Sequence, residues 1–177
     1  MQVRDATAAD LDGILTIYNE VVANTTAIYA IAPVTREDRA QWVATRERAG
    51  YPVLVAVDGA QVIGFSSFGD WRGQWNGYRF TVEHSVHVRA DCRGRGVGSA
   101  LIQSLFPRAL AMGKHVMIGG IDAANSASLR FHARLGFTKV AEFPEVGHKF
   151  GRWLDLVFMQ RFLDERGASR LPSGGGS

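Results

Sequence analysis

Residues 88–105 read VRADCRGRGVGSALIQSL, three arginines and three glycines in front of an apolar run with helical spacing. The first amides of a helix lack intrahelical partners, and the helix dipole favours negative charge beside them. Gly94, Gly96 and Gly98 would let an anion approach that backbone closely, while Arg93 and Arg95, with Arg89 nearby, supply charge. A glycine-rich turn carrying solvated arginines has the same local composition, so the loop alone leaves two readings open. Two other phosphate motifs do not fit. A Walker A loop needs Lys-Ser/Thr after its last glycine, and here Val97 and Ser99 flank Gly98. A dinucleotide fingerprint needs glycine or alanine where Ser99 stands, and Asp122 lies too far downstream to serve as its acid.

Outward from the loop, YRFTVEHSVHV (78–88) alternates as a strand, with Val82, His84, Val86 and Val88 on one face and Thr81, Glu83, Ser85 and His87 on the other. YPVLVAVDGAQVIGFSSF (51–68) predicts two strands around Asp58-Gly59. GDWRGQWNG (69–77) is a glycine-rich loop with two tryptophans. Thr7 with Asp10 and Thr35 with Asp38 resemble capping boxes, the first before the helical pattern Leu11, Ile14, Leu15, Tyr18, the second before a helix through Trp42 and Arg46. KHVMIGGI (114–121) predicts a buried strand. A helix then starts near Asn125 or Ser126 and ends at Gly136, and two strands close the chain. The order βααβββαβαββ predicts an α/β fold with a mixed sheet. It occupies one domain over residues 1–163, with 164–177 as a flexible polar tail whose last glycines and serines are either native or a linker.

The chain has 177 residues, 46% hydrophobic and 21% charged, as expected of one globular domain with a full core. Its net charge of +3 suits an anionic ligand. Without a basic stripe or exposed stacking aromatics it does not point to nucleic acid. The single cysteine, Cys92, excludes an intrachain disulfide framework and a cysteine-rich metal site. No signal-peptide pattern opens the sequence, and no apolar run approaches the ~18 residues of a membrane span, so the expected location is the cytoplasm.

Arg93-x-x-Gly96-x-Gly98 resembles the Q/R-x-x-G-x-G/A motif of the GNAT acyl-CoA N-acetyltransferases, and Asn125-x-x-Ser128 with HARLGF (132–137) resembles their second cofactor segment. FGDWR (68–72), YRFTVEHSVHV, GRWLDLVFMQ (151–160) and YPVLV (51–55) resemble the phosphinothricin and methionine sulfoximine/sulfone acetyltransferases. The resemblance runs in order over roughly residues 2–163.

It implies the GNAT fold, in which acetyl-CoA lies where two parallel strands splay. The pantetheine would pair with Val86, His87 and Val88, and the pyrophosphate would sit on the loop Arg93, Gly94, Arg95, Gly96, Val97, Gly98 and Ser99. Asn125 and Ser128 would hold the pantetheine arm, although Asn125 reads equally as a helix N-cap. Transfer to an amine needs a base, an oxyanion donor and a protonated leaving thiol. Glu83 is the expected base, a paired strand glutamate being its alternative, and the Val88 N–H is the expected oxyanion donor. His132 stands where the superfamily often has a tyrosine acid, and is otherwise a structural histidine. His84 and His87 are given no chemical role, and direct transfer needs no acyl-enzyme on Cys92.

For a small amino acid, Arg72 is the first candidate to hold the carboxylate and Arg79 the second, with Trp71, Trp75 and Tyr78 as walls and Asn76 offering its amide. Each reads alternatively as a solvated or packed residue. Relatives are dimers, which implies a homodimer in which Lys149, Phe150 and Trp153 help close the neighbouring subunit's pocket. No metal is expected. Two other functions fit the sequence less well. An acetyltransferase for a polyamine, an aminoglycoside or a protein N-terminus would favour an acidic or open site, and a non-catalytic CoA-sensing module would not need Glu83.

Overall fold

The computed structural model describes residues 1–166, so most of the expected tail lies outside the described residues. Seven strands form one sheet in the order β1-β2-β3-β4-β5-β7-β6. They are β1 (Gln2–Asp5), β2 (Val53–Asp58), β3 (Gln61–Asp70), β4 (Thr81–Val88), β5 (Val116–Asp122), β6 (Thr138–Lys149) and β7 (Arg152–Phe162). Only β4 and β5 run parallel; every other neighbour is antiparallel. The helices are α1 (Leu11–Asn24), α2 (Arg36–Arg48), α3 (Val97–Ala111) and α4 (Ser126–Arg134). This is the mixed α/β arrangement and element order that the sequence predicts. None of the described helices is long and apolar enough to cross a membrane.

β2 shows why its sequence is an unbroken apolar run. Val53, Val55 and Val57 pack with Ile14, Ile17 and Phe65 on the α1 side, while Leu54 and Ala56 join the core beneath α3. A strand covered on both faces has no solvent face to mark with polar residues.

Several boundaries differ from expectation. The Thr7–Asp10 pairing opens a short 3-10 turn, Ala8–Asp10, that leads into α1. Its carboxylate accepts Thr7 N at 2.8 Å and an Arg4 guanidinium nitrogen at 2.7 Å. The second box caps α2 as predicted, with Asp38 N donating to Thr35 Oγ1 at 3.1 Å and Thr35 N to Asp38 Oδ2 at 3.0 Å. The β2–β3 turn is Gly59 and Ala60, because Asp58 still pairs with Gln61. Tyr78 lies in a 3-10 turn, Asn76–Tyr78, and β4 begins three residues later at Thr81. Phe150 and Gly151, both at positive φ, make the tight β6–β7 turn.

Lys149 is the main correction. It does not face outward toward a neighbouring subunit. It is 2% exposed and its Nζ donates to the carbonyls of Val22, Thr25 and Ile28 at 2.7, 2.8 and 2.7 Å. Those oxygens include unpaired acceptors at the end of α1, where a cation is doubly favoured. Thr26 donates to Asp122, and Tyr29 Oη to the Asp155 carbonyl at 3.1 Å, so the segment after α1 is fastened to the far half of the sheet. Lys149→Met should therefore leave three carbonyls short of a donor and cost about 3 kcal/mol. Urea unfolding should show a lowered midpoint at unchanged slope, and an unshifted midpoint would mean that water replaces the amine without penalty.

Candidate active site

β4 and β5 pair at Thr81–Val116, Val82–Met117 and Glu83–Ile118, and no pair forms beyond. The cleft so opened holds two adjoining cavities, of about 590 and about 310 Å³, which share Val86, His87, Asn125 and Ser128 as walls.

The larger cavity lies at the glycine loop. Gly94 and Gly96 adopt φ of 77° and 81°, with nothing within 4 Å of a built Cβ, so glycine serves the backbone there rather than the space. Gly98 differs: its Cβ would stand 3.2 Å from Phe131 Cζ. Of the residues expected to hold the cofactor, Val86, His87, Val88, Arg93, Gly94, Gly96, Val97, Gly98, Ser99, Asn125 and Ser128 all line this cavity. Arg95 does not; its side chain is 61% exposed and lies 4.0 Å from Asp58. Asn125 does cap α4, accepting Ser128 N at 3.0 Å, and it also stands on both cavity walls. A narrow cleft bounded by an unpaired strand edge and ending on free helix amides fits acetyl-CoA, whose arm carries amides and whose other end carries phosphates.

Glu83 lines the smaller cavity. Gly120 leaves it room, since a Cβ there would stand 3.3 Å from Glu83 Oε1. Burial raises its pKa, and the Arg46 charge pulls the other way. His132 also lines this cavity, 4% exposed. Its Nδ1 lies 2.8 Å from the Ser128 carbonyl, which can only accept, so Nδ1 carries the proton and Nε2 holds a lone pair. Burial lowers its pKa, the Ser128 contact opposing. His132 is thus built as a neutral acceptor, and acid work would require a second proton that its surroundings disfavour. His84 stacks on it at 5.2 Å, and burial drives the His84 pKa down to about 3. Neither His84 ring nitrogen nor His132 Nε2 has a hydrogen-bond partner in the protein. Cys92 is a buried free thiol on the wall of the larger cavity.

The substrate candidates are not gathered with Glu83. Arg72, at φ 50°, lies over Trp75 and Tyr78 with centroid distances of 5.4 and 5.8 Å, and Asn76 lies between those two in the same exposed loop. None of the four lines either cavity. Arg79 lies over Phe80, and Trp71 packs edge-on against Phe158. The walls include residues the sequence did not single out: Arg46, Asp70 and Asp122 in the smaller cavity, Phe131 and Arg134 in the larger. A usable signal existed for Arg46, because Arg39, Trp42 and Arg46 recur on one face of α2. Gly119-Gly120 was another, two missing side chains in a buried strand. Among the described residues no group of three or more His, Cys, Asp or Glu is placed to hold a metal ion.

The Acetyltransferase (GNAT) family matches residues 14–137. An L-methionine sulfoximine/L-methionine sulfone acetyltransferase of Pseudomonas aeruginosa is 55% identical over 163 residues, covering 92% of this chain and 94% of that protein. An L-amino acid N-acyltransferase of Escherichia coli is 49% identical over 166 residues, covering 94% and 96%. The crystal structure of a GNAT superfamily phosphinothricin acetyltransferase from Sinorhizobium meliloti in complex with acetyl-CoA superposes with a TM-score of 0.90 at 39% identity, covering 98% and 94%. With the family matching most of its length and the cleft carrying that family's loop, the chain belongs to the GNAT acetyltransferases.

Proposed function

We propose that the protein transfers an acetyl group from acetyl-CoA to the α-amine of a small amino acid or analogue of the methionine sulfoximine, methionine sulfone or phosphinothricin type, with both substrates bound together. The observation that carries this reading is the placement of Glu83 in a small walled cavity that opens directly onto the cofactor-shaped cleft. The names of the P. aeruginosa and S. meliloti relatives support the acceptor class.

Acetyl-CoA supplies the acetyl group as a thioester. The glycine loop and the start of α3 hold its phosphates, and the open edge of β4 takes its arm. Glu83 removes the proton that an amino-acid ammonium must lose before it can attack, directly or through one water. Burial brings its basicity nearer to neutral pH, where that proton transfer works best.

The exposed Phe143, Val146, Phe150 and Trp153 on the β6–β7 hairpin support a homodimer. Phe150 and Trp153 are exposed and free to meet a second copy, while Lys149 serves its own chain. Arg72, Trp75, Asn76 and Tyr78 lie outside both cavities, which favours an acceptor contact elsewhere. Dependence on acetyl-CoA and an unpaired thiol support a place in the cytoplasm.

Glu83→Gln keeps the size and removes the base. Its kcat for methionine sulfone should fall about 10²- to 10⁴-fold. In the wild type, activity should rise as pH climbs through a Glu83 pKa above the ordinary carboxylate range. That limb should vanish in the variant, while higher pH restores part of the rate by delivering more neutral amine. A full rate at neutral pH in Glu83→Gln would leave the residue a structural part only.

Acetyl-CoA should raise the melting temperature of the wild type by binding the native state. Gly96→Glu, which puts a carboxylate beside the phosphates, should abolish that rise. Gly96→Asn, a residue tolerant of positive φ, should retain part of it. Equal thermal shifts in the wild type and Gly96→Glu would place the phosphates elsewhere.

A further inference from the structure

α2 turns an unusual face inward. Its one buried residue is an arginine, Arg39, and Arg39, Trp42 and Arg46 follow one another at helical spacing. The Trp42 ring neighbours both guanidinium groups, at 4.4 Å from Arg39 Cζ and 5.5 Å from Arg46 Cζ. Arg39 is engaged with aromatic faces, since Tyr18 lies 4.1 Å away on its other side. Arg46 reaches on into the smaller cavity, on whose wall Asp70 and Glu83 also stand. Gly69 is what admits it: a Cβ there would collide with Nη1 and stand 2.6 Å from Cζ.

Among the described residues no ion pair or hydrogen bond holds that charge. Arg46 Nε is buried with no hydrogen-bond partner. Among the described residues no carboxylate oxygen lies within 4.0 Å of the guanidinium. Asp70 is already held, accepting the Tyr51 hydroxyl and lying 3.4 Å from Lys114 Nζ. Burial biases Glu83 toward its neutral form. Burial also lowers the pKa of Arg46 itself, outweighing the opposite pull of Tyr51, Asp70 and Glu83. An arginine stays charged throughout the practical pH range, so the cavity wall carries a half-buried guanidinium whose buried Nε has no hydrogen-bond partner among the described residues, beside the carboxylates of Asp70, Glu83 and Asp122.

We infer that Arg46 is the anchor for the acceptor's carboxylate, which deepens the proposed function and rests on it. The planar fork of a guanidinium matches a carboxylate at two points. An amino acid carries its carboxylate and its amine on the same carbon. Fixing one at Arg46 therefore places the other within the same small cavity as Glu83. The same fork sets specificity, because an acceptor without a carboxylate leaves it unpaired. Polyamines and aminoglycosides bring cations and no carboxylate, and a peptide N-terminus presents an amide where the free amino acid has its anion.

Steady-state kinetics of the wild type, Arg46→Gln and Arg46→Lys with methionine sulfone and with its carboxamide test this. Arg46→Gln should lower kcat/KM for the acid about 10- to 100-fold, chiefly through the acceptor KM. It should leave the carboxamide and the acetyl-CoA KM nearly unchanged. Arg46→Lys should recover only part of the loss, because an ammonium lacks the fork. The melting temperature of Arg46→Gln should equal or exceed that of the wild type, since an unbalanced buried charge is gone. Equal penalties on acid and carboxamide would overturn the inference, and so would a lowered melting temperature with kcat falling alike for both. A penalty confined to the acid in Arg72→Ala but absent in Arg46→Gln would move the anchor to Arg72. No transfer by the wild type to methionine sulfone, methionine sulfoximine or phosphinothricin would instead overturn the proposed function, and the Arg46 inference with it.

Discussion

β4 and β5 hold together for three residues and then part, and the rest of the site depends on that parting. Past Glu83 each strand keeps only its outer neighbour, β3 for one and β7 for the other. Backbone groups facing the gap have no ladder and must pair with something else. A ligand with amides of its own can take their place. The parted sheet also frees volume that a continuous sheet would fill with side chains. Gly119 and Gly120 extend that volume, one beside the His84 and His132 rings and the other beside Glu83. Cofactor arm, base and acceptor cavity thus share a single cause.

A parted sheet needs its halves held in register by something other than strand pairing. The segment after α1 supplies it. Lys149, on the β6–β7 hairpin, grips the carbonyls at the end of α1, and Asp122, at the end of β5, accepts from Thr26. Ala27 and Ile28, on the walls of the smaller cavity, stand between these ties. A buried lysine expected at a subunit interface is explained by the carbonyls it satisfies.

What the sequence makes legible and what it hides divide along local and tertiary lines. The glycine loop is legible because its constraints are local: positive φ at Gly94 and Gly96, and a helix start immediately after. The strand face of Glu83 is legible because alternation fixes it. Arg46 is hidden because an arginine on a polar helix is ordinarily solvated, and only the packing of α2 against the sheet turns it inward. The Arg72–Tyr78 loop stands outside both cavities. Tryptophans, glycines and an arginine beside a site resemble a binding loop, but backbone turns carry their side chains onto one another instead. Tyr78 and Phe80 extend the strand's alternation in sequence while lying 39% and 43% exposed, before or outside β4.

Of the charged groups on the wall of the smaller cavity, Arg46 and Glu83 act on each other. Burial raises the Glu83 pKa, and the Arg46 charge holds part of that rise back. An acceptor carboxylate on Arg46 would cancel the field that holds Glu83 down and would exclude water from the same space. Both effects favour the protonated form of Glu83 and so strengthen it as a base at the moment the amine arrives. In the empty cavity Arg46 holds part of that rise back. The pairing of an unbalanced cation with a buried carboxylate therefore couples recognition to reactivity: the group that identifies an amino acid is also the group that tunes the residue removing its proton.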